Sequence, residues 1–305
     1  MDRWALDVQS ALKTHAIGHP ICYYPVVGST MDEARRLAEQ GMPEGTVVLA
    51  DEQTAGRGRF QRNWWAPAGS SLLLSLVFRP PFPPRRAHQL TMVCSLAVCD
   101  AIASVTGMRA AVKWPNDVLI GGRKVCGILA ELDLGDGVHG SDVFRFAVVG
   151  IGVNVNVDLR HAPCLMAPAT SLAMETRHSV SRVDLLVALL AGIEERYLAL
   201  CAGRSCTQEW AGRLDTLGQR VQVCDGTERL YGLAAGVEEN GALLLWLADG
   251  STRRVLAGDV TLRSHDFYPP DGFYPVLGAR RSLNAGVLAV QIGWFLSACF
   301  WRSPT

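Results

Sequence analysis

The sequence has no surplus of charge of either sign. Among its 305 residues, 29 lysines and arginines balance 29 aspartates and glutamates, so the formal net charge is zero. Proteins that coat nucleic acid usually carry a basic surplus, and this balance argues against that class. Hydrophobic residues make up 49% of the chain and charged residues 19%, which is typical of a globular protein.

The sequence also lacks a secretory signal and a zinc-binding cysteine pattern. Its first residues include the charged Asp2, Arg3 and Asp7, and they have no apolar core of the kind found in signal peptides. Nine cysteines are scattered along the chain without a matching pair of histidines. An odd number of cysteines predicts free thiols in a reducing compartment, and we therefore expect a cytoplasmic protein.

Charge is absent from residues 282–301, a run of 20 residues that follows two arginines. The length of this run equals that of a membrane-spanning helix, whereas Asn284 and Gln291 lower its hydrophobicity. A membrane anchor and a disordered or partly packed tail are both open interpretations. We treat residues 265–305 as a tail of unknown role.

The order of predicted elements indicates an α+β domain followed by a small β domain. A short amphipathic helix occupies the lead-in over residues 1–20, and longer helices and strands follow over residues 21–214. Residues 215–264 contain four or five short strands separated by hairpin turns such as Asn240-Gly241 and Asp249-Gly250. This change from long helices and strands to short strands with hairpin turns predicts a β-barrel appended to an α+β domain.

The segment GSTMDEARRLAEQG predicts a helix that begins near Thr30. Thr30 and Glu33 have the spacing of a capping box, and Gly41 follows the end of the apolar helix face. If Thr30 is the N-cap, its hydroxyl is committed to the backbone. The neighbouring Ser29 is then the hydroxyl that is freer to contact a ligand.

Three arginines lie within six residues in the segment TAGRGRFQRNW, where Gly56 and Gly58 keep the backbone open. The guanidinium groups of Arg57, Arg59 and Arg62 suit bidentate contacts to phosphates and carboxylates. A solvated basic loop is one alternative for this stretch taken alone. Contact with nucleic acid, with the neighbouring tryptophans stacking on bases, is another.

Three further segments place polar groups at the ends of predicted strands. They are GSTMDEA (28–34), KWPNDVLIGGRKVCGILAE (113–131) and GIGVNVN (150–156). Together with the arginine stretch, and in this order, they resemble the motifs of the biotin protein ligase family over roughly residues 21–263. The resemblance implies a mixed β-sheet backed by helices, of the class II synthetase-like biotin/lipoate ligase type, and a C-terminal SH3-like barrel.

The resemblance implies an ATP-dependent enzyme that activates biotin as biotinyl-5′-AMP and releases pyrophosphate. A lysine of a biotin carboxyl carrier domain, part of a carboxylase, then takes the biotin and releases AMP. Because a carboxylate meets a triphosphate in the first step, the site needs fixed positive charge, which the arginine stretch supplies. Magnesium is implied as the ion that accompanies ATP, with no protein ligand assigned.

The resemblance also implies roles for individual residues. Lys124, which bridges the biotin carboxylate and the α-phosphate, and Arg59 are assigned to the chemistry itself. The implied biotin-binding residues are Ser29, Thr30, Met31, Gln53, Arg57, Gly58, Arg59, Lys124 and Gly127. The implied ATP- and adenylate-binding residues are Arg59, Arg62, Trp64, Lys113, Asn116, Asp117 and Asn154. Asp117 is in addition the candidate for holding the magnesium–phosphate assembly.

The sequence departs from the family pattern at two places in these motifs. Met31 stands where many relatives have asparagine, which removes a polar side chain from the implied biotin pocket. Phe60-Gln61 replaces a more basic or glycine-rich pair, which changes how readily the loop orders. Neither departure removes a charge that the chemistry needs.

Other functions compete with that of a monofunctional biotin ligase. A bifunctional ligase and repressor requires an N-terminal DNA-binding domain, for which the 20 residues before the catalytic motifs are too few, so we expect no DNA binding. A lipoate or octanoate ligase shares a related fold but not the arginine stretch with KWPND. A non-catalytic binding module has no evident need for Lys124 beside the arginines. A homodimer formed through sheet edges is also compatible with the resemblance.

Overall fold

A computed structural model describes residues 3–134, 144–162, 167–225, 228–256 and 258–262. Its α-helices, α1 to α6 in chain order, are Arg3–Ala11, Thr30–Glu39, His88–Thr106, Leu172–Thr176, Arg182–Cys201 and Thr207–Arg213. Its strands, β1 to β12, are Ile21–Val27, Val47–Gln53, Ser71–Phe78, Ala111–Lys113, Asp117–Ile120, Arg123–Asp133, Phe146–Asn154, Arg220–Asp225, Glu228–Val237, Leu243–Trp246, Thr252–Val255 and Asp259–Leu262. Short 3-10 turns are formed by Arg59–Gln61, Pro84–Arg86 and Leu159–His161.

Seven strands form one mixed sheet in the order β1-β2-β3-β7-β6-β5-β4. β1 and β2 run parallel, and the other neighbouring pairs are antiparallel. Strand β3 is buried along its whole length, as its mostly apolar sequence SLLLSLVF predicts. In the register of β6 and β7, Gly127 lies opposite Gly152. The predicted mixed sheet is confirmed.

Helices cover both faces of this sheet. α3 and α5 pack together over one face, where Leu90 and Leu189 join Leu74 of β3 in one apolar core. α2 covers part of the other face, where Ala34 and Leu37 belong to a second, smaller cluster. Each fully buried leucine contributes about 1.5–3 kcal/mol, so these two layers supply most of the stabilisation of the sheet.

One helical stretch in the described part of the chain, Pro84–Thr106, is long and apolar enough to cross a membrane. Most of its apolar window, 67%, is buried inside the protein, as expected for a core helix. The uncharged segment 282–301 lies outside the described residues.

The C-terminal strands form a separate antiparallel sheet in the order β11-β10-β9-β8-β12. Gly241 and Gly250 adopt φ angles of 77° and 81° at its turns, which explains the Asn-Gly and Asp-Gly pairs. The sheet lies within the predicted 215–264 range, and the C-terminal β domain is confirmed. Its SH3-like character and the division of the chain into domains stay predictions. All described residues belong to one compact unit, Met1–Asp266.

The start of α2 corrects the predicted N-cap. Ser29 has an extended backbone, and its hydroxyl accepts a hydrogen bond from the N–H of Met31 at 3.3 Å. Ser29, rather than Thr30, is therefore the N-cap. The predicted capping box does not form, because the carboxylate of Glu33 accepts hydrogen bonds from Tyr24 and Arg36 instead.

Candidate active site

A cavity of about 700 Å³ opens where the start of α2, the arginine stretch and β5 to β7 meet. This volume lies within the range of about 300–1,000 Å³ that is usual for small-molecule sites. Every residue that was predicted for the site lines this cavity, namely Ser29, Thr30, Met31, Gln53, Arg57, Gly58, Arg59, Arg62, Trp64, Lys113, Asn116, Asp117, Lys124, Gly127 and Asn154. The four motifs, dispersed along the chain, therefore form one site.

Glycines on two neighbouring strands form the floor of the cavity. A Cβ at Gly152 would lie 2.6 Å from Cε2 of Trp64, and one at Gly150 would lie 2.8 Å from the sulfur of Met31. These two side chains therefore reach the sheet only because the strand has no side chains there. Gly127 was predicted as a site residue, whereas Gly150 and Gly152 were not, although their G-x-G spacing was the available signal.

A chain of hydrogen bonds fixes the polar end of the cavity. The hydroxyl of Ser75 donates to Thr30 Oγ1 at 2.8 Å, and Thr30 Oγ1 donates to Gln53 Oε1 at 3.0 Å. The backbone N–H of Thr30 donates to the same oxygen at 2.7 Å. Because Oε1 of Gln53 is occupied twice, its Nε2 is the group that remains to donate to a ligand. Ser75 is fully buried, and no sequence signal identified it.

The two hydroxyls at the start of α2 exchange the roles that the sequence suggested. Ser29 caps the helix and also accepts from the Arg57 guanidinium at 3.3 Å, so its oxygen is not freer than that of Thr30. Thr30 turns away from the helix because its side chain is buried against the sheet. The prediction that Thr30 is the N-cap was wrong, whereas a ligand contact of the Ser29 hydroxyl stays a prediction.

The arginine stretch is a short hairpin rather than an irregular loop. Arg57 and Asn63 form an antiparallel bridge, and the N–H of Gly58 donates to the carbonyl of Arg62 at 2.7 Å. The 3-10 turn Arg59–Gln61 forms the tip of this hairpin. The glycines do not merely loosen the backbone here. They let two chain segments pair closely over the cavity.

Arg57 anchors the hairpin to the rest of the protein. Its guanidinium lies 2.7 Å from Asp32 of α2 and 3.2 Å from Glu131 of β6. The hydrogen bond to Asp32 raises the pKa of Arg57, with a further contribution from Glu131. Two carboxylates thus balance this guanidinium, and Glu131 also pairs with Arg35 at 2.9 Å. Arg57 contributes less net positive charge to the cavity than the sequence suggested.

Lys124 lies at the start of β6 with its ammonium inside the cavity. Its Nζ is 2.7 Å from Asp117 Oδ1 and 5.6 Å from the ring centroid of Trp64. The backbone of Lys124 is held on its other side, where its N–H donates to the carbonyl of Pro168 at 2.9 Å and its carbonyl accepts from Thr170 at 2.8 Å. These contacts fix both ends of the lysine relative to the glycine floor.

Arg59 connects the cavity to the C-terminal sheet. Its guanidinium donates to Asn116 Oδ1 at 3.1 Å and to the carbonyl of Gly258 at 2.8 Å. Asn116 in turn donates to the carbonyl of Ile128 at 2.6 Å, which fixes the orientation of its amide. The C-terminal sheet also contributes Val260 to the cavity wall.

The remaining predicted residues lie at the edges of the cavity. Lys113 ends β4, directly opposite Asp117 in the β4–β5 register. Asn154 ends β7, is 5% exposed, and donates to the carbonyl of Thr170 at 3.1 Å. Asn154 therefore supports the segment that holds the backbone of Lys124, as well as lining the cavity.

The charges of the cavity lining are strongly asymmetric. Among the residues that the structure describes, the lining has the cations Arg57, Arg59, Arg62, Lys113 and Lys124 and one ionisable acid, Asp117. This arrangement suits a ligand with several negative charges, in a protein whose net charge is zero. In the part of the chain that the structure describes, no three His, Cys, Asp or Glu side chains are grouped to hold a metal ion.

Comparison with known proteins agrees with this geometry. Residues 23–154 match the Biotin/lipoate A/B protein ligase family, and residues 216–263 match the Biotin protein ligase C terminal domain. The chain is 34% identical over 261 residues to the Bifunctional ligase/repressor BirA of Bacillus subtilis, which covers 84% of this chain and 78% of the relative. It is 38% identical over 229 residues to a Biotin--[acetyl-CoA-carboxylase] ligase of Paracoccus denitrificans, covering 71% and 90%.

A solved structure shows the same fold. The biotin protein ligase from Aquifex aeolicus, in complex with biotin and ATP, superimposes with a TM-score of 0.67 at 30% sequence identity. The superposition covers 80% of this chain and 98% of that protein. Both the seven-stranded and the C-terminal parts of the family are therefore represented in this chain.

Proposed function

The chain belongs to the biotin protein ligase family, and we propose that its cavity carries out both steps of biotin transfer with the residues assigned below. The protein is an ATP-dependent biotin protein ligase, an enzyme that uses biotin and ATP as substrates. The observation that carries the assignment of roles is the lining of the cavity, where five cations and one acid surround a floor of glycines.

In the first step, a carboxylate oxygen of biotin forms a bond to the α-phosphorus of ATP. The bond from that phosphorus to the bridging oxygen breaks, and pyrophosphate leaves with the electron pair. Negative charge grows on the α-phosphoryl oxygens, so a cation fixed nearby stabilises the transition state. We assign this role to Lys124, which Asp117 and the Trp64 ring hold in place. We assign Arg59, whose guanidinium is held by Asn116, to the stabilisation of the same negative charge on the α-phosphoryl oxygens.

In the second step, the amine of an acceptor lysine attacks the carbonyl carbon of biotinyl-5′-AMP. An amide bond forms, the bond between that carbon and the phosphate oxygen breaks, and AMP leaves. The amine loses its proton to solvent. The acceptor is the biotin carboxyl carrier domain of a carboxylase.

The polar end of the cavity is assigned to the urea ring of biotin. Thr30 and Gln53 present one hydroxyl and one amide nitrogen, and their orientation depends on the chain of hydrogen bonds that starts at Ser75. We expect Thr30→Val to raise the KM for biotin by about tenfold, because Gln53 loses one of the two hydrogen bonds that orient its amide. The buried Ser75 hydroxyl also loses its acceptor, and an unpaired buried polar group costs about 1–3 kcal/mol. The KM for ATP should not change, and an equal rise in both constants would contradict the assignment.

Magnesium is proposed as the ion that accompanies ATP. Magnesium usually keeps several waters and is held largely through the phosphates of the substrate. Because the carboxylate of Asp117 already pairs with Lys124 at 2.7 Å, we assign the ion to the phosphates and to no side chain of the cavity. The ion would offset the charge of the leaving pyrophosphate. The residues of the chain bind and orient the two anions around it.

Three further properties of the protein are proposed. The two edges of the large sheet are β1 and β4, and Val26 on β1 is 55% exposed, which supports a homodimer through a sheet edge. The zero net charge supports a ligase that does not bind DNA. Seven free cysteines in the described ranges support a reducing, cytoplasmic location. Light scattering tests the homodimer. A gel shift with and without biotinyl-5′-AMP tests whether the protein binds DNA, and cell fractionation tests its location.

The reaction is tested by intact mass spectrometry of an apo biotin carboxyl carrier domain. The carrier is incubated with the protein, ATP and magnesium, and parallel tubes contain biotin, lipoate or octanoate. We expect the mass of one biotinyl group to be added, and the addition to be lost with Lys124→Ala. Addition of only lipoate or octanoate, tested on a lipoyl domain as well, would instead identify a lipoate or octanoate ligase. No addition with any acid would indicate a binding module.

A further inference from the structure

Phe60, at the tip of the arginine hairpin, has a backbone conformation that large side chains avoid. Its φ and ψ angles are 56° and 33°, in the left-handed region. For residues with a Cβ this region is disfavoured by steric contact with the following carbonyl oxygen, and bulky residues are uncommon in it. A glycine would occupy this position without strain. The aromatic side chain must therefore provide something that offsets the strain.

The side chain of Phe60 lies next to two of the cationic groups of the cavity. The Cζ atoms of Arg59 and Arg62 are 5.0 Å and 5.5 Å from the ring centroid. Both distances are within the range of about 6 Å in which an aromatic ring attracts a cation. The ring is itself part of the cavity wall, although the residue is 59% exposed. One aromatic ring therefore holds both arginines of the hairpin tip.

The contrast with Arg57 explains why a ring suits this place. Arg57 is held by Asp32 and Glu131, whose negative charges balance its own. The quadrupole of a phenyl ring attracts a guanidinium without adding a formal negative charge. The Phe60 ring can therefore contact both Arg59 and Arg62 without adding a negative charge of its own to the cavity wall.

We propose that Phe60 is a positioning residue, which sets the spacing and direction of the Arg59 and Arg62 guanidinium groups at the cavity wall. The inference rests on the proposed function, because that function assigns the two arginines to the phosphates of ATP and the adenylate. In this role Phe60 touches no reacting atom, and it affects the reaction only through the two arginines. It also gives a reason why this chain tolerates an aromatic residue in a left-handed turn.

Limited proteolysis by trypsin tests the inference without any ligand. Cleavage is followed by mass spectrometry at Arg57–Gly58 and Arg62–Asn63, bonds that do not include residue 60. Losing two exposed cation–π contacts should open the hairpin about 5- to 30-fold more often, and cleavage of Phe60→Ala should accelerate by that factor. Phe60→Gly relieves the left-handed strain, so it should be cleaved at a rate between those of the natural protein and Phe60→Ala. Phe60→Tyr should match the natural protein.

Steady-state kinetics with pyrophosphate release then test the consequence for substrate binding. We expect Phe60→Ala to raise the KM for ATP about 5- to 30-fold and also to lower kcat, because Arg59 is assigned to the charge of the transition state. Phe60→Tyr should keep both constants at the values of the natural protein. Arg177→Gly is the matched control. Arg177 is also left-handed, with a φ of 63°, but it lies at the C-terminal end of α4, so relieving its strain should change neither cleavage of the hairpin nor KM.

Two results would overturn the inference. In the first, Phe60→Ala is cleaved in the hairpin no faster than the natural protein. In the second, its cleavage accelerates but the KM for ATP stays unchanged. A natural protein that releases no pyrophosphate with biotin and ATP would refute the proposed function. The order of cleavage rates would still decide whether Phe60 holds the arginines.

Discussion

Removal of the Lys124 ammonium is expected to slow adenylate formation far more than it destabilises the fold. Lys124 and Asp117 are 29% and 22% exposed, and their atoms are 2.7 Å apart. A partly exposed pair of this kind contributes about 0–1 kcal/mol to stability. In a protein of this size, that corresponds to a fall in melting temperature of at most about 4 °C. By contrast, a lost charge-stabilising contact at a reacting centre costs about 10²–10³-fold in rate.

Asp117 makes the expected loss larger. Without Lys124, its carboxylate faces the triphosphate with no compensating cation. Two like charges about 6 Å apart repel by about 3 kcal/mol at an effective dielectric constant of about 20. Access of solvent and salt at this exposure reduces the repulsion to about half, which corresponds to about tenfold in rate. We therefore expect Lys124→Ala to be about 10³–10⁴-fold slower, and Asp117→Asn in the same chain to recover about tenfold.

Single-turnover formation of biotinyl-5′-AMP from α-labelled ATP measures this effect directly. Lys124→Met is the matched variant, because it keeps an apolar stem beside the Trp64 ring and removes only the charge. It should be nearly as slow as Lys124→Ala, and circular dichroism and thermal melting should show a folded protein. The reasoning is refuted if Lys124→Met forms adenylate at close to the natural rate. It is also refuted if the double variant with Asp117→Asn is no faster than the single one.

Two further predictions concern the cavity floor and the acid stability of α2. Gly152→Ala places a Cβ 2.6 Å from the Trp64 ring, so it should displace the ring and raise the KM for ATP. Gly212→Ala, whose Cβ would meet nothing within 4 Å, should change no kinetic constant. The hydrogen bond from Arg36 lowers the pKa of Glu33 from 4.5 to about 2, so ionised Glu33 stabilises the fold above pH 4.5, and this stabilisation is lost as pH falls towards 2. Glu33→Gln should remove this part of the pH dependence of the melting temperature. If the melting temperature of the variant falls at acidic pH as steeply as that of the natural protein, the prediction is contradicted.

The sequence was sufficient to identify the residues of the cavity because the chemistry requires particular side chains. Lys124 and Arg59 were assigned through the resemblance to the biotin protein ligase family, whose reaction between two anions requires cations, and both line the cavity. The strands were recognisable because β3 is apolar apart from two serines and the hairpin turns use glycine. These signals are local in the chain, and they need no knowledge of which elements pack together.

The errors arose where two neighbouring residues could play the same local role. Either hydroxyl at the start of α2 can cap a helix, and the capping-box spacing favoured Thr30. The structure places Thr30 against Ser75, on a strand that is distant in sequence, and its hydroxyl is used there. Ser29 is left to cap the helix. Arg57 lines the cavity as predicted, but its pairing with Glu131 could not be foreseen, because Glu131 lies in another motif.

The sequence by itself determined the element types, the family and the chemistry of the site. Those properties follow from side-chain identity, periodicity and motif order, which are present in the chain before it folds. Only the tertiary structure decided which groups are already paired with each other. It balances Arg57 with carboxylates, holds Lys124 against Asp117, and fixes Phe60 in a left-handed turn between two arginines. Such pairings depend on contacts between distant segments, and these contacts form only when the sheet brings the segments together.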